Sequence, residues 1–370
     1  MRLIGSKKTP NLIILTVVAI LVIFGLFMVT SAEVVISQER FNQSFYFAKN
    51  QILKGLIPGL ILGYIFFRVP YQYLRKYALP IFVIGLAMLT AVFIPGIGMA
   101  LSGAKRWLQI GSFNFQPSEI FKLGFIIYLA SFLGKTDKSD KKENRQRLIP
   151  FLIILGITGL LIALEPDIGT LGVFALTAFA MYFMAKTPLG HVLILGVAGI
   201  LALVLLVNIF PHALERVQVL LHPDIEQGGK AYQINQSLIA FGSGGIFGQG
   251  LDQGKQKFLY LPQAASDSIA AVIGEELGFL GMLGMLTLFV TFGFQGLKIA
   301  KNAPDDFSRL LAGGITCYII IQAFINITAI VGLIPLTGVT LPFISYGGTS
   351  LMVSLIAVGI LLNISKYATK

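Results

Sequence analysis

The sequence predicts an all-α polytopic membrane protein, and three observations carry that class. Of 370 residues, 55% are hydrophobic and only 12% are charged, about half the charge of an ordinary soluble domain. Ten stretches are apolar over nearly the ~20 residues that a bilayer requires. They lie near 11–31, 51–67, 77–94, 118–134, 148–164, 168–185, 190–210, 268–297, 310–334 and 345–365. The composition excludes a cytosolic enzyme, a disordered chain and a secreted disulfide scaffold. The one cysteine, Cys317, leaves no internal disulfide and no cysteine-based zinc site. His191, His212 and His222 stand too far apart to read as a ligand set.

An even number of spans puts both termini on one side. Eighteen of the 28 lysines and arginines fall at the termini or on the connections of that side, and eight fall on the other. The bias predicts cytoplasmic termini. The net charge of +11 is then a topology signal, not a nucleic-acid footprint, and the basic run 135–147 reads as a loop facing lipid headgroups. The first span is too long an apolar run for a cleavable signal. The whole chain, 1–370, reads as a single transmembrane domain with one large external loop, 211–267, rich in glycine. Loops of that length are usually functional.

Along the chain, Gly55, Gly59 and Gly63 form a ridge of small residues on span two, a helix-packing signal. Lys105-Arg106-Trp107 sits on an external connection; it reads either as an interfacial anchor or as a site for a lipid phosphate. Glu119 and Lys122, at i and i+3 in span four, share a helix face and can pair. That pair either orients the helix or shapes a polar cavity. Glu165-Pro166-Asp167 fills a short external turn in which Asp167 would cap span six; two carboxylates at that tip could also meet a cation. Asp267 closes the large loop ahead of Ser268. Spacing alone makes it an N-cap, and its place at the outer membrane edge also suits a general base. Glu275 and Glu276 lie about two turns further in and read as helix-orienting or backbone-bonding groups. Gly242-Ser243-Gly244-Gly245, with Gly248 and Gly250, lacks the dinucleotide spacing and predicts close backbone approach or a re-entrant turn.

Several motifs, in order, carry a family resemblance. They are Gly103-Ala104-Lys105-Arg106-Trp107, Phe115-Gln116-Pro117-Ser118-Glu119 with Lys122, and Glu165-Pro166-Asp167-Ile168-Gly169-Thr170. Tyr232-Gln233, Gln236-Ser237, the glycine run at 242–245, Gly274-Glu275-Glu276-Leu277-Gly278 and Leu341-Pro342-Phe343-Ile344-Ser345-Tyr346-Gly347-Gly348 complete them. The chain resembles the SEDS family (FtsW, RodA, SpoVE), and Gln256 through Pro262 look most like its division branch, FtsW. The resemblance implies a SEDS-type fold and a peptidoglycan glycosyltransferase that polymerises lipid II at the outer face of the cytoplasmic membrane, at the division septum. It implies a class B penicillin-binding protein (FtsI-like) and other divisome membrane proteins as partners, and no nucleic acid.

Asp267 matches the family's essential aspartate. Lys105, Arg106, Glu119, Lys122, Gln236, Ser237 and Ser345 are the expected substrate-binding positions, with Arg216 a further cation for the departing pyrophosphate. A divalent cation, Mg or Mn, stays open. Gln263, Ala265, Ser266 and Ala270 depart from the family pattern and put in doubt any helper carboxylate or imidazole beside Asp267. The rival readings are a RodA-like elongation polymerase, a lipid II flippase and a divisome scaffold.

Overall fold

The computed structural model of the protein describes residues 9–101, 104–111, 113–134, 147–221, 229–258 and 260–368. Gly103, the basic run at 135–146 and His222 lie outside the described residues. The helices are α1 (Leu12–Phe41), α2 (Tyr46–Gln51), a π-helical turn (Ile52–Leu56), α3 (Ile57–Arg68), α4 (Gln72–Lys76) and α5 (Ala78–Ala91). After a small sheet come α6 (Pro117–Leu133), α7 (Leu148–Leu164), α8 (Ile168–Met184), α9 (Leu189–Ile209), α10 (Pro211–Leu221) and α11 (Gly229–Gly244). The chain closes with α12 (Ile269–Lys301), α13 (Asp306–Ile330) and α14 (Gly348–Ser365).

Every stretch expected to span falls on a helix. Six helical segments (12–34, 46–68, 189–209, 269–301, 306–330 and 348–365) are long and apolar enough to cross a membrane by length and composition. Those at 78–91, 148–164 and 168–184 are apolar but shorter. The protein is an integral membrane protein of mainly helical build. Some expected limits move: α1 continues to Phe41, and 331–347 is not helical.

The ends of the helices follow local chemistry. Asn11 caps α1 by accepting from Ile14 N at 3.1 Å, and Asn42 stops it in the left-handed region, φ 51°. Asp305 and Ser308 form a reciprocal capping box on α13. α12 is broken at Gly278, whose φ of 65° and ψ of −163° suit glycine alone. α13 and α14 are buried along most of their length. In α9 Leu195 is the buried residue, so its other faces are left to lipid. The glycine ridge of α3 packs on α14 as expected: a Cβ on Gly59 would stand 2.7 Å from Leu355 Cδ1, and one on Gly63 2.9 Å from Leu355 O. Apolar surface gains little from burial against another apolar helix inside lipid, so this close approach supplies van der Waals contact instead.

One feature differs from the sequence reading. Residues 98–115, expected as a plain external loop, form an antiparallel sheet of β1 (Gly98–Leu101), β2 (Ala104–Ile110) and β3 (Phe113–Phe115). The large segment 211–267, expected to be structured, carries α10 and α11. The two ends of the bundle separate as the alternation of the expected spans predicts. The sheet, the 165–167 turn, 211–267 and 331–347 join one another, through Arg106 to Glu165, Arg216 to Leu336 and Ala265 to Tyr346. At the other end Tyr71 bonds Asp305 and Arg309 bonds the carbonyl of Met184.

Candidate active site

Asp267 stands at the end of the large segment, against α13 and the 336–346 segment. Its backbone is held from several sides. Asn326 donates to Asp267 O at 2.8 Å and to Val339 O at 2.7 Å. Tyr346 N donates to Ala265 O at 2.7 Å, and the Ser345 hydroxyl donates to Ser266 O while accepting from Leu341 N at 2.8 Å. Gln263, at φ 53°, closes the turn by accepting from Ser266 N and Ser268 N. Glu33 of α1 accepts from Ala265 N at 3.4 Å.

The capping reading of Asp267 fails. The N-cap of α12 is Ser268, and Asp267 lies one residue before it. The carboxylate is therefore not spent on a helix end. It is partly buried and accepts from the Ser266 hydroxyl at 3.3 Å. Burial pushes its pKa above the ordinary aspartate range, against hydrogen bonds that include those from Gln233 and Ser266, and against the charge of Arg216. Across the gap, Gly338 sits at φ 70°, and a Cβ there would stand 3.8 Å from Asp267 Oδ2.

Two arginines complete the cluster. Arg216, on α10, donates to Leu336 O at 2.5 Å. Burial and then Arg106 lower its pKa, while Asp167, Asp267 and Glu215 oppose that shift. Arg106, on β2, donates from Nε to Glu165 O at 2.8 Å and from Nη2 to Pro166 O, and its Nη1 lies 3.9 Å from Asp167 Oδ2. Asp167 caps α8 by accepting from Thr170 N at 3.2 Å, as expected, and also accepts from Gln116 at 3.3 Å. Glu165 is fully buried, and neither of its carboxyl oxygens has a hydrogen-bond partner among the described residues. Burial, with the neighbouring Asp167 second, pushes its pKa up to about 8 in spite of Arg106.

The remaining expected residues divide. Lys105 is exposed on β2; successive side chains of a strand point to opposite faces, and Arg106 takes the face that meets 165–167. Ser237 is fully buried and donates to Gln233 O at 2.8 Å. Gln233, one turn earlier, reaches the Asp267 turn through the Ser268 hydroxyl at 2.8 Å. Gln236 is half-buried on the same helix. Ser345 is buried and engaged with backbone, which makes it a positioning residue.

Glu119 and Lys122 pair at 2.7 Å inside the bundle, and Lys122 also donates to Gln322 at 2.7 Å. Gln322 in turn donates to Thr340 O at 3.0 Å. The pair thus connects to the 336–346 segment that frames Asp267. Glu275 accepts from the backbone N–H of Lys255 and Gln256, and Glu276 pairs with the fully buried Lys257 at 2.8 Å. Both glutamates are structural, as their depth predicted.

Glu33, Gln322 and Asn326 were not identified as site residues from the sequence. Their signal was available, because each is a polar residue inside an apolar span. Among the described residues no group of three or more His, Cys, Asp or Glu side chains could hold a metal ion.

The sequence profile of the cell cycle protein family of FtsW, RodA and SpoVE matches residues 11–370. The chain is 41% identical to stage V sporulation protein E of Bacillus subtilis over 367 residues, 98% of this chain and 99% of that relative. It is equally 41% identical to the probable peptidoglycan glycosyltransferase FtsW of Trichlorobacter lovleyi, over 96% of this chain and 93% of that one. Among solved structures, the rod shape determining protein RodA of Thermus thermophilus superposes with a TM-score of 0.71 at 24% identity, over 98% of each chain, and supports the fold. A chain from a structure concerned with coordination of polymerization and crosslinking by a peptidoglycan synthase complex reaches 0.76 at 25% identity, over 96% of this chain and 97% of that chain.

Proposed function

Because the chain belongs to the FtsW, RodA and SpoVE family of cell cycle proteins, we propose that it is a peptidoglycan glycosyltransferase that polymerises lipid II during septal wall synthesis. The observation that carries the reading is Asp267, a carboxylate held by its backbone, released from capping and set within the field of Arg216. The site faces the side that the positive-inside bias assigns to the exterior of the cytoplasmic membrane, where nucleotides are unavailable. A sugar carried on a lipid diphosphate is already activated there.

Asp267 accepts the proton of the acceptor sugar hydroxyl as that oxygen attacks the donor's anomeric carbon. The C–O bond to the diphosphate breaks as the glycosidic bond forms, and the lipid diphosphate leaves with the electron pair. Burial makes Asp267 a stronger base than a solvated aspartate. Arg216 and Arg106 offset the charge that builds on the leaving group. Arg106 has backbone carbonyls fixing its orientation, so little reorganisation is needed. A class B penicillin-binding protein and other divisome membrane proteins are the proposed partners, and the septal inner membrane the proposed location.

The test is lipid II polymerisation by the purified chain, alone and co-expressed with a class B penicillin-binding protein, wild type beside Asp267→Asn. Glycan strands from the wild type only, with both proteins equally folded, support the assignment. Strands from Asp267→Asn at the wild-type rate would refute the base. No strands under any condition from a folded complex would favour a flippase or scaffold.

A further inference from the structure

At the opposite end of the bundle, a cavity of about 490 Å³ opens between α4, the start of α5 and the last turns of α6. Gln72, Arg75 and Lys76 line one wall, and Tyr128 and Ser131 line the other, with Leu79 at its edge. No carboxylate lines it among the described residues. Arg75 and Lys76 make no ion pair among the described residues, and the hydroxyls of Tyr128 and Ser131 have no hydrogen-bond partner there. Asp305, an acid at the same end, is engaged by the Tyr71 hydroxyl at 2.5 Å and by Ser308 N at 2.9 Å, so it is not a counter-ion for this cavity.

Two cations and two hydroxyl donors therefore line a space with no anion among the described residues. The rim points to the occupant. Leu79, Tyr73 and Tyr77 are exposed large apolar or aromatic residues beside the basic wall. Tyrosine is enriched at the membrane interface, and exposed leucine belongs against acyl chains. The charge bias places this end in the cytoplasm, where basic pockets between membrane helices meet anionic headgroups.

We propose that this cavity is a binding site for the headgroup of an anionic phospholipid of the inner leaflet. Its phosphate lies between Arg75 and Lys76, the Tyr128 and Ser131 hydroxyls donate to headgroup oxygens, and the acyl chains run past Leu79. The inference is independent of the catalytic reading.

The test uses the full chain in nanodiscs of phosphatidylcholine with or without phosphatidylglycerol, followed by native mass spectrometry of retained lipid. Wild type should retain phosphatidylglycerol in preference to phosphatidylcholine. Arg75→Gln/Lys76→Gln should weaken that retention roughly thirtyfold, the weight of two cations near an anionic surface. Lys301→Gln, a cation lost elsewhere at the same end, should leave it unchanged. Equal retention by wild type and the double variant, an equal loss in Lys301→Gln, or no preference over phosphatidylcholine would overturn the proposal. So would competition by millimolar inorganic phosphate, which would mark a site for free anion. A thermal midpoint of the double variant near wild type in detergent checks that it is folded.

Discussion

Glu165→Gln should make the protein more stable in alkali while leaving it unchanged in acid. Glu165 is fully buried, its two oxygens lack partners, and its pKa rises from the ordinary 4.5 to about 8 through burial and Asp167. The folded protein therefore holds a proton that the unfolded chain gives up near 4.5. Stability is fully present below that value and falls as the pH rises from about 4.5 through 8. At 1.36 kcal/mol for each tenfold change, moving the acid from 4.5 to about 8 sets a ceiling of about 5 kcal/mol on that loss. Relaxation around the ionised group makes the realised loss smaller than that ceiling. Glutamine copies the neutral acid in shape and cannot ionise. Thermal midpoints of wild type and Glu165→Gln in the same detergent should coincide near pH 5. They should separate by several degrees at pH 9, with the variant higher. Parallel curves from pH 5 to 9 would show that Glu165 titrates normally, and the closed environment drawn for the 165–167 turn would be wrong.

Other outcomes follow from the same structure. Arg216→Gln should slow polymerisation about 100-fold, the order seen when a preorganised transition-state donor is removed, with a thermal midpoint near wild type. Polymerisation should lose rate on acidification through the pKa of Asp267, so a pH–rate profile should show its acid limb above the ordinary aspartate value of 3.8. Lys122→Met strands Glu119, a side chain only 6% exposed, and should cost roughly 3–5 kcal/mol. Glu119→Leu/Lys122→Met should recover most of the lost midpoint, and failure to recover would show that the pair does more than neutralise itself. Gly59→Leu should separate α3 from α14, because its first carbon already meets Leu355 and Met352. The cost is about 1–3 kcal/mol, read as a lower midpoint in detergent.

Apolar runs were enough to place the membrane helices, because lipid imposes that rule locally, residue by residue. The glycines of α3 were equally legible, since close helix approach demands small side chains wherever it occurs. Asp167 was read correctly as a cap because its partner, Thr170, is three residues away.

Contacts distant in sequence decided the rest. Asp267 and Asp167 carry the same capping signal, and only the fold separates them. In one case the helix begins directly after the aspartate, and in the other a serine intervenes. Strand alternation selects Arg106 over Lys105, but it takes the docking of β2 on the 165–167 turn to say which face is used. Asn326 and Gln322 acquire meaning only when α13 lies beside the 336–346 segment. The proton on Glu165 depends on how completely its neighbours exclude water. Sequence spacing encodes neither that exclusion nor the meeting of residues more than a hundred positions apart.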